Sequence, residues 1–166
     1  MSRIIEKLLR YKEKDDRGMM ASLRCVLVES KKHRAWPALN RLGVAITDDI
    51  SAYVAGLFAT HPEPTFTGNF GDTCYAIEQK RGEKRSEDNR LTTTERRFQH
   101  LLNAERGPEL QGRVLRILRM AKSLGVPVNY EKLMIDLRYW NDRTKTEWAT
   151  AFWTQGAPPI PEEVIT

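Results

Sequence analysis

Four cations recur at three-residue intervals after Pro108: Arg113, Arg116, Arg119 and Lys122. On a helix turning about 100° per residue, with Leu110 at 0°, Ile117, Ala121, Val114 and Leu118 fall between about 340° and about 80°, while the four cations sweep from about 120° to about 300°. One side of such a helix is core and the other wholly cationic. Leu115, at about 140°, is left to meet a neighbouring helix or a partner. No Asp or Glu between Val114 and Leu124 neutralises these charges, whereas a solvated helix usually interleaves i,i+4 ion pairs. The pattern favours contact with a polyanion; an ordinary solvated basic face is the bland alternative.

Other arginines suit the same chemistry. Arg96 and Arg97 precede the apolar Phe98, and Arg106 closes the same helix. A guanidinium donates two parallel hydrogen bonds to a phosphate, although Arg106 beside Glu105 also reads as a helix-end ion pair. Arg138, Tyr139, Trp140 and Arg143 set cations beside aromatic rings, an arrangement able to stack unpaired bases. Trp140 continues an apolar stripe, however, and reads first as core. Arg24 interrupts the apolar run Leu23–Val28, which places it at a stripe edge or an interface, and Lys31, Lys32 and Arg34 form a basic turn.

Enzymatic constellations are missing from the chain. His33, His61 and His100 are isolated, without HExxH or paired ligand spacing, and no GxSxG, nucleophilic cysteine motif or phosphate loop occurs. Gly68-Asn69-Phe70-Gly71 lacks the GK[ST] of a nucleotide-binding loop and reads as a turn that packs Phe66 or Phe70 inward. Cys25 and Cys74 stand far apart, which excludes a disulfide scaffold or a zinc ribbon and suits a reducing cytoplasm. No apolar run is long enough to cross a membrane, and no cofactor or small-molecule substrate is implied.

The elements that hold these residues read as helices throughout. The chain has 166 residues, 40% of them apolar, enough to bury a core. Its net charge of +5 is uneven: segments 1–60, 61–89, 90–145 and 146–166 carry +4, −2, +6 and −3. A basic block between acidic ones is a localised field for a polyanion. Apolar spacing is helical almost everywhere, so the fold class is all-α, two small helical bundles packed together with about eight or nine helices. The first helix carries Ile4, Ile5, Leu8 and Leu9, Gly18 is expected to break it from a second running to about Ser30, and Pro37 opens a short helix that Gly43 ends. Asp48 caps a helix bearing Ile50, Tyr53, Val54, Leu57 and Phe58, and His61-Pro62 stops it. Thr92 with Glu95 and Thr144 with Glu147 read as capping boxes, and Asn129 as a further cap. The expected organisation is an N-terminal lobe over 1–62, a connecting segment with a short helix and an exposed, mobile loop over 63–92, a C-terminal lobe over 93–155 and a proline-rich tail over 156–166.

Glu95-Arg96-Arg97-Phe98 with Leu101, Leu102, Ala104 and Arg106, then Leu133-Met134, Leu137 and Trp140, and finally Trp148, Phe152 and Trp153, together resemble the CasB family, the small subunit of the type I-E CRISPR Cascade complex. Leu23-Arg24, Trp36-Pro37-Ala38 and Arg41-Leu42 fit that family's N-terminal lobe, so the resemblance runs from about residue 3 to about residue 155. It implies a non-catalytic helical subunit, paired with a second copy of itself among backbone and large subunits of a crRNA-guided complex. Its basic surface would then support crRNA assembly and stabilise the displaced non-target DNA strand of the R-loop. Arg24, Arg97, Arg106, Arg116 and Arg143 match family basic positions; Arg96, Arg113, Arg119, Lys122 and Arg138 are added by the helical projection. The rival is a protein–protein scaffold that binds no nucleic acid itself.

Overall fold

The computed structural model describes residues 1–154. Among these the chain forms nine α-helices and no sheet: α1 (Arg3–Glu13), α2 (Arg17–Arg24), α3 (Trp36–Leu42), α4 (Asp49–Thr60), α5 (Phe70–Arg81), α6 (Thr93–Leu102), α7 (Pro108–Leu124), α8 (Tyr130–Arg138) and α9 (Asp142–Trp153). The all-α class expected from the apolar spacing is the one observed. The proline-rich tail expected over 156–166 lies outside the described residues.

Local chemistry sets most helix ends. Asp48 and Asn129 accept from the backbone N–H groups of Ser51 and Lys132, and Thr92 with Glu95 forms a full capping box. Gly43, Gly82 and Gly125 end α3, α5 and α7 in the left-handed conformation. Three ends differ from the sequence expectation. Gly18 lies inside α2; the break is made by Asp15, which adopts φ 52°, and Asp16, which caps Met19 N–H. The second helix stops at Arg24 rather than near Ser30, and the chain tightens into 3₁₀ turns at Cys25–Leu27 and Glu29–Ala35, separated by the extended Val28. Finally, α9 is capped by Asn141, whose side chain accepts from Thr144 N–H, so Thr144 sits inside the helix and its hydroxyl donates to Tyr139 O at 3.0 Å.

α4 is the spine. Nine consecutive residues, Ser51 to Ala59, are buried, because α2 packs on one side and α8 and α7 on others. Within the segment 63–92, α5 packs along α9 so closely that a Cβ on Gly71 would stand 2.1 Å from Trp148 O. Trp148 is fully buried against Phe70 and Trp140, and its indole N–H donates to Asp136 Oδ2 at 2.7 Å. One buried cluster runs without a gap from Ile5 to Phe152. Hydrogen bonds to the backbone also stitch distant segments: Thr65 N–H donates to Val128 O, Val128 N–H to Glu63 O, and the Tyr130 hydroxyl to His61 O. The buried His61 completes this seam through Nε2 and Val126 O, 2.6 Å apart.

The exposed loop after α5 is tied down at two points. Arg85 grips Glu95 with two parallel bonds of 3.0 and 2.6 Å, and Glu83 accepts from Thr93 N–H at the start of α6. Gly82 through Arg90 are all exposed, yet the strap is anchored to the helix that carries Arg96 and Arg97.

A candidate nucleic-acid interface

The cleft beside α7 is built by three helices. Arg116 and Arg119 project from its outer face, half-buried Arg97 from α6, and Arg81 from the last turn of α5. Leu115, Met120 and Leu124 form an apolar floor under these guanidinium groups, and the concavity measures about 630 Å³. Two contacts hold the walls. Lys80 Nζ donates to Leu124 O at 2.8 Å, fixing the end of α5 to the end of α7, and Arg97 Nη1 lies 3.0 Å from Met120 Sδ. The cleft is lined by no carboxylate; the nearest counter-charge to Arg81 is Glu83, 3.4 Å away on the strap.

Arg116, Arg119, Arg96, Arg113 and Lys122 make no side-chain hydrogen bond or ion pair within the described residues. Unpaired cations on a fixed helical surface keep their full field for an outside anion. Arg96 is exposed on α6, and Arg113 is half-buried on α7 without lining the cleft.

The other candidate cations lie elsewhere. Lys122 turns away from Arg119 into a groove of about 390 Å³ lined also by Lys12, Arg17 and Arg24 and by the carboxylates of Asp15 and Asp16. Arg24 Nη1 donates to Ala59 O at 3.1 Å, a carbonyl in the last turn of α4. Arg138 braces the start of α4: its Nη2 donates to Ser51 Oγ at 3.0 Å, and its Nη1 lies 3.5 Å from Asp48 Oδ1. Arg106 Nη2 donates to Trp140 O at 3.0 Å, and Arg143 pairs with Glu147 at 3.3 Å while remaining 88% exposed. Trp140 itself is core, 6% exposed, with its indole N–H on Ala104 O. Of the ten candidates, the fold gathers Arg97, Arg116 and Arg119 into one cleft, and it adds Arg81. The signal for Arg81 was present in Lys80-Arg81-Gly82, the signature of a helix C-terminus, which places those cations on a rigid end instead of in the loop.

Behind the cleft a carboxylate cluster fixes the start of α6. Glu95 is buried; its hydrogen bonds from Arg85, Trp153 Nε1 and Thr92 N–H hold its carboxyl at about 2, with Arg85 the largest cause. Burial raises the neighbouring Glu78, which accepts from the Thr92 hydroxyl at 2.5 Å. Among the described residues no three His, Cys, Asp or Glu side chains converge as a metal site, and no helix is long and apolar enough to cross a membrane.

Among the described residues, then, arginines from three helices converge on one apolar-floored cleft of an all-helical fold. Comparison with known proteins places it further. The model of the family described as CRISPR-associated protein Cse2 matches residues 19–153, and the chain belongs to that family, the Cse2/CasB family of the CRISPR Cascade complex. The crystal structure of M. ruber CasB has a similar fold, with a TM-score of 0.67 and 22% identity over 100% of this chain and 99% of that one. No curated protein matches the sequence.

Proposed function

We propose that the protein is the non-catalytic small subunit of a type I-E Cascade complex and binds nucleic-acid backbone without sequence preference. It supports the crRNA assembly and holds the displaced non-target strand of the R-loop, beside a second copy of itself and the backbone and large subunits. The observation that carries this is the cleft of Arg81, Arg97, Arg116 and Arg119 over an apolar floor. Guanidinium groups there meet phosphates, and sequence is left to guide pairing. Arg96 and Arg113 extend the field, while Arg106 and Arg143 supply charge near the start of α9. Arg24, Lys122 and Arg138 belong to separate surfaces, and their contribution is long-range. The protein works in the cytoplasm, with no cofactor and no small-molecule substrate.

The test is a titration of fluorescent single-stranded DNA at two salt concentrations. Wild type binds with a steep salt dependence, since each phosphate contact releases counterions. Reversing Arg97, Arg116 and Arg119 to Glu abolishes binding while the circular-dichroism melt persists. Reversing Arg3 and Arg10 on α1 and Lys14 at its C-cap, an equal change in net charge, weakens it far less. Equal losses from both triples mean that net charge alone is sensed and the cleft is no site. Absence of binding by wild type at low salt leaves the protein as a scaffold that meets acidic surfaces of its partner subunits.

A further inference from the structure

The 3₁₀ segment Glu29–Ala35 is seven residues long, more than the usual three or four. With three residues per turn, side chains three apart eclipse one another, so the segment and the residue after it form three straight rows. Glu29, Lys32 and Ala35 make the inner row, since Ala35 is fully buried and the other two line a groove beneath. Ser30, His33 and Trp36 make the second row, and Lys31 with Arg34 the third.

Both outer rows face solvent. Trp36 is 43% exposed although it opens α3, and the His33 ring meets it edge-on at 6.3 Å. Lys31 and Arg34 are exposed and make no side-chain hydrogen bond or ion pair within the described residues. An exposed indole beside a row of unpaired cations suits a single nucleic-acid strand, whose bases stack on aromatic faces while its phosphates meet the charges. A duplex, with its bases already stacked, gains only the charges.

On its inner side the segment lines a groove that reaches the cleft. The groove beneath it, about 370 Å³, runs between Lys32 and Tyr53 to Gly112 and Leu115 on α7, and those last two residues also line the arginine cleft. Glu29 and Asp49 stand on the groove wall beside Lys32, so phosphates are steered to the outer row of Lys31 and Arg34. We infer that Trp36, edged by His33 and flanked by Lys31 and Arg34, is a base-stacking platform that extends the single-strand path of the arginine cleft onto the N-terminal half of the molecule. The inference rests on the nucleic-acid reading of that cleft and assigns it a second station of different chemistry.

Three probes separate the possibilities: a fluorescent oligothymidine, an abasic oligonucleotide of the same length and a duplex. Trp36→Ala weakens oligothymidine binding about fivefold or more and leaves the abasic and duplex probes unchanged. Trp36→Phe, which keeps an aromatic face, restores most of the loss. Trp36→Ala leaves the salt slope unaltered, whereas Lys31→Gln with Arg34→Gln makes it shallower. Trp36 is 43% exposed, so Trp36→Ala gives up part of its packing, and binding is compared at a temperature where circular dichroism shows each variant folded.

Unchanged oligothymidine binding by Trp36→Ala, with binding still lost on reversal of Arg97, Arg116 and Arg119, overturns the platform and leaves the cleft standing. Equal weakening of oligothymidine and abasic probes overturns it as well, because stacking needs a base. If wild type binds no single strand, cleft and platform fall together.

Discussion

Glu95 shows how much a single side chain carries here. It closes the capping box of α6, receives Arg85 from the strap and Trp153 from α9, and sits two residues before Arg97. Its carboxyl titrates at about 2, below the ordinary 4.5. A carboxylate with a depressed value contributes stability that is complete above about pH 4.5 and is lost as pH falls toward 2. Glu83, lowered by its bond from Thr93 N–H, adds a change of the same sign, and Glu78, raised by burial, opposes it. The melting temperature therefore falls between pH 5 and pH 2. Glu95→Gln flattens that fall and costs about 1–2 kcal/mol at neutral pH, through hydrogen bonds weakened around a buried group. Denaturant titrations across this range check both statements, and a variant profile parallel to wild type assigns the acid sensitivity to another carboxylate. The capping box was legible in Thr92-x-x-Glu95; Arg85 and Trp153 were not, because they reach Glu95 from elements that only folding brings near.

At the scale of elements, the closest approach is α5 on α9. Gly71 lies under the carbonyl of Trp148, and any Cβ there collides with backbone, which cannot rotate aside. Gly71→Ala forces the helices apart around Phe70, Trp148 and Trp140, and should destabilise by about 3 kcal/mol or more, in the range of core overpacking. Gly112→Ala is the comparison: it sits on α7 with nothing within 4 Å of an added Cβ and should melt at or slightly above wild type. Equal melting temperatures for the two variants would show that α5 and α9 can separate without cost. In sequence the two glycines look alike. Gly71 stood in a segment rich in Gly and Pro and read as part of a turn, whereas its structural role is set by a residue 77 positions away.

At the scale of the molecule, the seam of Glu63, Thr65, Val126 and Val128, the His61 and Tyr130 contacts and the Arg138 brace tie α4 and the residues just after it to α8 and the residues just before it. With one continuous buried cluster behind them, the halves should unfold together: far-ultraviolet circular dichroism and tryptophan fluorescence, which reports mainly on Trp140, Trp148 and Trp153 in the C-terminal half, are expected to give coincident denaturant transitions. Two separated transitions would show independent lobes. The same coupling serves the proposed strand path, since Leu115 and Gly112 belong at once to the cleft and to the groove under the 3₁₀ segment.

Periodicity and punctuation alone determined the helical class, the core stripe and cationic arc of α7, the caps at Asp48, Thr92 and Asn129, and the core place of Trp140, since each depends on residues within a turn or two of one another. Which cations converge was decided by tertiary packing. The arc Arg113 to Lys122 spans about half a helix circumference, and neighbouring helices divide it: α5 and α6 wall in Arg116 and Arg119, while Lys122 is turned toward Asp15, Asp16 and Arg24. A helical projection orders side chains around one axis. The charges that face a common ligand depend on how several axes cross, and that geometry comes from burying apolar stripes against one another.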